Sequence, residues 1–390
     1  MLLTQWSPGE SQKKVVRTHG YWIEYSNGQR HLDMLAGNSA FVLGYNDTDI
    51  LQAMHENPVN YLRGTSGDSC ESNDELIKLV CDAGHWSGLC WAVSGSDAVE
   101  AAVAMNDSYW TWQNEHRFKI LSLTPGYHGA TMLAKHLQGA YTYLDRAVTV
   151  PGPQWTHVQQ QAEAEAQALC RIQQALQDHK DIGCVLFETV PWIGRLTPYS
   201  SNWWHSLRQL CDQYGVLMIN DDVAFCWGKL GHLFGYQAHG VQPDIVAIGK
   251  ALTAGYSPLG AAVCNQRVHD ILQTRSWTHG HTWSPNMWGV SAALAATKKI
   301  QRLMPQADQI QQRLQSIGNK LNLTHRGQGL AICYDFAHDI SWADQSQVGL
   351  ANNIEEHHAV KVFAPLIADD EYFEHLELGL TILVDKFGGS

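Results

Sequence analysis

The sequence predicts an α/β fold in which a mostly parallel central sheet is flanked by helices. From about residue 85, short apolar runs alternate with segments of helical periodicity, the order expected when helices cover a parallel sheet. One such unit is complete at 205–220. There Leu207, Leu210, Cys211 and Tyr214 recur at helical spacing, Gly215 supplies a left-handed stop, and VLMIN (216–220) follows as a buried strand. At 390 residues the chain is long enough for two or three structural units around a substantial core.

Taken in order, YWIEYSNGQRHLDM (21–34) sets alternating and aromatic residues on either side of Asn27-Gly28, a strong signal for a tight hairpin turn. Further strands are expected at 90–93, 119–124, 184–189, 245–248 and 261–264. The segment 158–178, rich in Gln, Ala and Glu, reads as an exposed helix. Beyond residue 300, Pro305 ends an Ala-rich helix, AICYDF and VKVFA read as strands, and Phe373, Leu376, Leu380 and Leu383 mark an amphipathic helix. This change of texture predicts a large domain over 46–300 and a smaller α+β domain formed by an N-terminal segment, 1–45, together with 301–390.

Acidic residues outnumber basic ones, 38 to 26, and the formal charge of -12 has no basic cluster to offset it, which argues against nucleic acid or an anionic membrane as partner. No apolar stretch approaches the roughly 18 residues needed to cross a bilayer, and MLLTQWSPGESQKK lacks the basic-then-apolar order of a signal peptide. A cytoplasmic protein acting on small molecules is expected. The nine cysteines form no C-x-x-C and several lie in apolar runs such as CVLFET, so buried free thiols are expected. Among the twenty histidines, the groupings at 279–281 and 357–358 lack cysteine or acidic residues at zinc-like spacing, and no metal is expected.

In an open parallel sheet, ligands bind beyond the carboxyl ends of the strands, where backbone groups and helix N-termini are free. The strand at 90–93 runs into Ser94-Gly95-Ser96-Asp97, with a helix expected from about Ala98; the strand ending at Thr124 runs into PGYHG, with Tyr127 and His128. CVLF leads into Glu188, VLMIN into Asp221-Asp222, and IVAI into Gly249-Lys250. Singly, each has a plain structural use: SGSD as a helix cap, Tyr127-His128 as a half-buried pair, the acids as caps or edge groups, Lys250 as a snorkelling stem. Independent caps and surface charges need not gather on one edge of one sheet. An anion-binding helix start, an aromatic plate, a carboxylate and a lysine together suit pyridoxal 5'-phosphate, whose phosphate, ring, pyridine nitrogen and aldehyde want those partners.

These stretches resemble the class III aminotransferases, the fold-type I pyridoxal phosphate enzymes that include glutamate-1-semialdehyde aminomutase, ornithine and 4-aminobutyrate aminotransferases and dialkylglycine decarboxylase. INDDVAFCWGKLGHLFGYQAHGVQPDIVAIGKALTAGYSPLGAAV (219–263) looks like the family's succession of Asp-Glu-Val, Gly-Phe-Gly-Arg-Thr-Gly, Pro-Asp and Gly-Lys with a glycine-rich loop. SGSDAVEAA, GYHGAT, FETVPWIG and HGHTWSPN fall around it in the family's order, and the likeness is good from about residue 15 to 300. The resemblance implies that Lys250 forms the internal aldimine, Asp221 pairs with the pyridine nitrogen, Val223 and Tyr127 cover the two ring faces, and Gly95 and Ser96 bind the phosphate. It places Glu188 near cofactor and substrate and His128 beside them. It also implies a homodimer in which Thr282 reaches the phosphate site of the neighbouring subunit.

Six positions depart from the family pattern, Cys226 and Leu230 among them. Asp222 stands for a glutamate, Val93 for an asparagine, Lys229 for the arginine of Gly-Phe-Gly-Arg-Thr-Gly, and Lys361 for a carboxylate-binding arginine. An ammonium does not reproduce the planar two-bond grip of a guanidinium, so glutamate and 2-oxoglutarate are expected to be handled differently. Trp192, Trp203, Trp204 and Trp283 are candidates for an apolar substrate pocket, or equally for core or interface. The activity expected is amino-group transfer between an amine or amino acid and an oxo acid or aldehyde, with Lys250 kept neutral by burial so that it can move the α proton. An aminomutase running the same half-reactions on one molecule, and a non-catalytic ligand-binding homologue, are the alternative readings.

Overall fold

The computed structural model describes residues 14–63, 67–140, 144–275, 277, 279–280, 282–351 and 358–389. His281, His357 and most of the N-terminal stretch quoted above lie outside them. Strands β1 (Val15–His19), β2 (Trp22–Tyr25) and β3 (Arg30–Asp33) form an antiparallel meander. The turn at Asn27-Gly28 joins β2 to β3, setting Trp22 opposite Leu32, and Gly28 takes the positive φ of 80° that such a turn requires.

Seven strands build the central sheet: β4 (Gly88–Ala92), β5 (Lys119–Thr124), β6 (Ala147–Pro151), β7 (Ile182–Glu188), β8 (Leu217–Asp221), β9 (Ile245–Ile248) and β10 (Gly260–Cys264). Their order is β4-β10-β9-β8-β7-β5-β6, with β10 antiparallel to both neighbours and every other pair parallel. The carboxyl ends of β4, β9, β8, β7 and β5 therefore meet on one edge. β6 was not anticipated, because AVTVP is a short edge strand ending in proline and only Val150 within it is buried. β11 (His325–Gln328), β12 (Ala331–Asp335) and β14 (Ala359–Phe363) form a third, antiparallel sheet, while β13 (Leu350–Ala351) pairs parallel with β3 and brings a late segment onto the first sheet.

β7, β8 and β9 are buried along their whole length, which is why they read as unbroken apolar runs. Helix Ser201–Tyr214, stopped at Gly215 with φ 63°, covers one face. Its Trp203 and Trp204 lie 5.5 and 4.8 Å from the ring of Phe187 on β7, so these two tryptophans belong to the core. Helix Gln161–Asp178 is not exposed all round: it buries Ala168, Ile172, Ala175 and Leu176 at helical spacing. Helix Asp370–Phe387 buries Phe373, Leu376, Leu380 and Leu383 as the spacing predicts. All nine cysteines are unbridged; six are buried and Cys170 is exposed. Among the described residues no helix is long and apolar enough to cross a membrane, and no group of three or more His, Cys, Asp or Glu is placed to hold a metal ion.

Asp244 anchors the strand that leads to Lys250. It is 3% exposed, and its carboxylate accepts from the Met218 N–H at 2.8 Å, Arg208 Nη1 at 2.7 Å and Asn265 Nδ2 at 2.9 Å, tying the start of β9 to β8, to helix Ser201–Tyr214 and to the end of β10. Removing it leaves a largely buried guanidinium with Asp212 as its remaining carboxylate and a buried N–H without its acceptor. Asp244→Ala is therefore expected to lower the unfolding free energy by about 2–4 kcal/mol, read as a fall in urea midpoint at constant slope. A midpoint that does not move would show that the cluster contributes nothing to stability.

Candidate active site

Five strand ends open on a cavity of about 130 Å³ walled by Gly95, Ser96, Tyr127, His128, Gly129, Glu188, Trp192, Asp221, Val223, Ala224 and Lys250. Eight of the nine residues singled out from the sequence are among them. A wider groove of about 790 Å³ between helices Thr48–Glu56, Glu71–Gly84 and Met287–Leu303 shares none of these residues, so it is chemistry rather than size that marks the smaller cavity.

Helix Gly95–Trp112 begins three residues earlier than its sequence suggests, because Ser94 rather than Asp97 is the cap: its Oγ accepts from the Asp97 N–H at 3.1 Å. Asp97 turns back to accept from the Val93 N–H at 2.9 Å. The first-turn N–H groups of Gly95 and Ser96 consequently face the cavity end of an 18-residue helix, a natural anion site. A β-carbon on Gly95 would come within 2.4 Å of Val223 Cγ1, so only glycine lets the helix start lie against Val223. Ser96 Oγ accepts from the Ala130 N–H at 3.0 Å, which leaves its own hydrogen to be donated.

Asp221 ends β8 and is buried. Its Oδ2 accepts from His128 Nδ1 at 2.9 Å and its Oδ1 from the Val223 N–H at 3.2 Å. Burial presses His128 toward neutrality, but the hydrogen bond and charge of Asp221, with the charge of Glu188, carry its pKa above the ordinary value. His128 Nε2 is buried with no hydrogen-bond partner among the described residues. Glu188 is buried at the end of β7; its Oε1 accepts from the Tyr127 N–H at 2.8 Å and its Oε2 from the Trp192 N–H at 2.9 Å. Burial, reinforced by Asp221 and opposed by His128 and the two N–H donors, pushes its pKa up to about 7.

Lys250 opens a short 3₁₀ turn, Lys250–Thr253, directly beyond β9 and Gly249. Its φ of 44° is a strained, left-handed conformation, retained through hydrogen bonds on either side from Leu252 N–H to Gly249 O and from Ala254 N–H to Ala251 O, both 2.9 Å. The amino group lies 4.5 Å from the centre of the Trp192 ring. Burial lowers its pKa below that of an ordinary lysine, although Asp221, Glu188 and Cys226 pull the other way.

Asp222, next along the chain, does not line the cavity. Buried, it accepts from Thr189 Oγ1 at 2.5 Å and the Gly235 N–H at 2.7 Å, and burial pushes its pKa up to about 7. Thr282 also lies outside the cavity and is exposed. Lys229 is fully buried and donates to the Ala224 carbonyl at 2.7 Å, while burial lowers its pKa to about 7. Lys361, 2% exposed, donates to the Trp192 carbonyl at 2.5 Å. Both lysines therefore serve the main chain rather than walling the cavity. Of the four tryptophans singled out, Trp192 alone lines it, whereas Trp283 is 67% exposed. Gly129 and Ala224 were not anticipated; their only signal is adjacency to His128 and Val223.

The donor set fits pyridoxal phosphate on the structure's own terms. An open helix start suits a phosphate, a buried carboxylate fixed by a histidine suits a protonated ring nitrogen, and a lysine of lowered pKa suits an aldehyde. A family model described as "Aminotransferase class-III" matches residues 7–385. The chain is 25% identical to an uncharacterized aminotransferase of Sinorhizobium fredii, over 73% of this chain and 66% of that one. It is 28% identical to an adenosylmethionine-8-amino-7-oxononanoate aminotransferase of Geobacter sulfurreducens, over 72% and 67%. Its fold matches the structure of an amine transaminase from an uncultivated Pseudomonas species with a TM-score of 0.87, at 24% identity, over 97% of this chain and 98% of the other. Because the family model spans nearly its whole length and the cavity carries a donor set for the cofactor, the chain belongs to the class-III aminotransferases, enzymes that move amino groups with pyridoxal 5'-phosphate.

Proposed function

We propose that this cavity is the active site of an aminotransferase that exchanges an amine or amino acid and an oxo acid or aldehyde, the donor's C–N bond giving way to C=O as the acceptor gains the amino group. The observation that carries the reading is a lysine of lowered pKa standing in one cavity with a histidine-bound aspartate and the start of a long helix. When bound, pyridoxal phosphate supplies an aldehyde that takes up amino groups and a ring that accepts the electrons released as the α proton leaves. The N–H groups of Gly95 and Ser96, with the Ser96 hydroxyl, hold the phosphate. Asp221 accepts the hydrogen of the ring nitrogen, and His128 fixes the carboxylate for it. Val223 and Tyr127 hold the ring flat. Lys250 Nζ would hold the aldehyde and, as a neutral amine, would be the group placed to move the α proton. Glu188 and Trp192 wall the substrate side and exclude water.

We further infer a cytoplasmic homodimer in which Thr282 reaches the neighbouring subunit's phosphate site. The exposure of Thr282 and Trp283 supports the interface, and nine unbridged thiols suit a reducing compartment. We read 1–45 with 301–390 as a small domain beside a large cofactor-binding one at 46–300, a division that the pairing of β13 with β3 supports.

Lys250→Ala is expected to lower turnover by roughly 100- to 10,000-fold while the protein still takes up the cofactor; borohydride should fix the cofactor to the natural chain and not to the variant. Undiminished turnover in the variant would sink the assignment. A lysine acting as base works only when neutral, and burial sets its pKa low; the active form is thus present above that lowered pKa and lost as pH falls through it. The rate of the half-reaction with amine should rise with pH and level off below lysine's ordinary value of about 10.4, whereas an inflection at that value would contradict the proposed burial.

A further inference from the structure

Trp192 is held on three sides. Its N–H donates to Glu188 Oε2 at 2.9 Å, its carbonyl accepts from Lys361 Nζ at 2.5 Å, and its ring packs on Phe363 with centroids 5.0 Å apart. Directly beyond it Gly194, Arg195 and Leu196 all take positive φ, 112°, 61° and 55°, so the chain turns sharply away. Lys361 reaches across from the middle of β14, where it faces Cys333. Its ammonium is committed to the main chain of Trp192, and the Trp192 ring is left 4.5 Å from Lys250 Nζ. Among the residues walling the cavity there is no arginine, and the lysine is Lys250 itself; the carboxylates are Glu188 and Asp221. Among the described residues, a substrate carboxylate entering here would meet Glu188 and no cation besides Lys250, whereas a flat apolar group would meet an indole.

Resting on the amino-transfer reading, we propose that Trp192 is the specificity-determining wall for the substrate's non-reacting group and that Lys361 is a positioning residue acting through it. The substrates handled best are amines and carbonyl compounds that carry an apolar or aromatic group, rather than a carboxylate, beside the reacting carbon. An arginine at 361 would offer a fork of five donors. The lysine offers a point charge, and Trp192 has captured it.

The test follows bleaching of the yellow holoenzyme by 1-phenylethylamine, 2-aminobutane and L-glutamate in single-turnover half-reactions. The natural chain is expected to favour 1-phenylethylamine over glutamate by at least about tenfold in rate constant over Kd. Trp192→Ala should lower the ratio of phenylethylamine to aminobutane by about tenfold, and the milder Trp192→Phe by about threefold; retained yellow colour reports a folded site in each. Lys361→Met should lower the same ratio, and combining it with Trp192→Ala should cause no further loss, since one acts through the other. A preference for glutamate that disappears in Lys361→Met would overturn the proposal, because Lys361 would then hold the carboxylate; so would additive effects in the double variant. Bleaching by none of the three amines would overturn the amino-transfer reading itself, and this inference with it.

Discussion

A lysine amino group must be kept from its proton while two carboxylates share its cavity, and much of the site is arranged around that conflict. Burial favours the neutral amine; Asp221 and Glu188 favour the ammonium. The sheet register makes the conflict unavoidable, since Glu188 on β7 stands opposite Asp221 on β8, and Asp221 opposite Ala247 on β9, three residues before Lys250. The structure gives the two acids different partners. Asp221 has an imidazole at 2.9 Å, whereas Glu188 has two backbone N–H groups and a pKa raised to about 7. Glu188 is thereby suited to a proton that comes and goes.

The same balance recurs behind the cavity, at Lys229 and Lys361, two buried lysines. Each buries its amino group against a neutral carbonyl, of Ala224 and of Trp192. For Lys229, with the Cys226 thiol and Asp222 carboxyl as the opposing influences, burial wins and the pKa falls to about 7. A guanidinium at either place could bond the same carbonyl and still extend a donor elsewhere. A lysine so placed stiffens the main chain, and the wall it stiffens at Trp192 borders the proposed substrate side.

Much of this was legible in the chain. β5 and β9 were placed to the residue, the hairpin at Asn27-Gly28 closed as its turn chemistry requires, and Gly215 stopped its helix in the left-handed conformation. The failures have physical causes. β6 is an edge strand with one buried residue and no apolar run to reveal it. The helix after β4 begins early because two residues of capping type three positions apart, Ser94 and Asp97, could each cap it, and which does so depends on where β4 releases the chain. Trp203 and Trp204 were open between pocket and core, and helix Ser201–Tyr214 settles them in the core by turning them onto Phe187. The reach proposed for Thr282 would cross to a second subunit, and a single chain carries no such geometry.

By itself the sequence determined the class of fold, the edge of the sheet at which chemistry gathers, and the cofactor, because these rest on short-range signals: apolar periodicity, caps, turns, and the residue that follows each strand. What the tertiary structure decided is where long side chains end. Lys361 finds its carbonyl 169 positions away in the chain, and His128 its aspartate 93 positions away. A flexible stem of several torsions can place its charge in many directions, and only the packed surroundings select one. The identity of Lys361 announced a departure from the family, and the contact with Trp192 gave that departure a consequence for the substrate pocket.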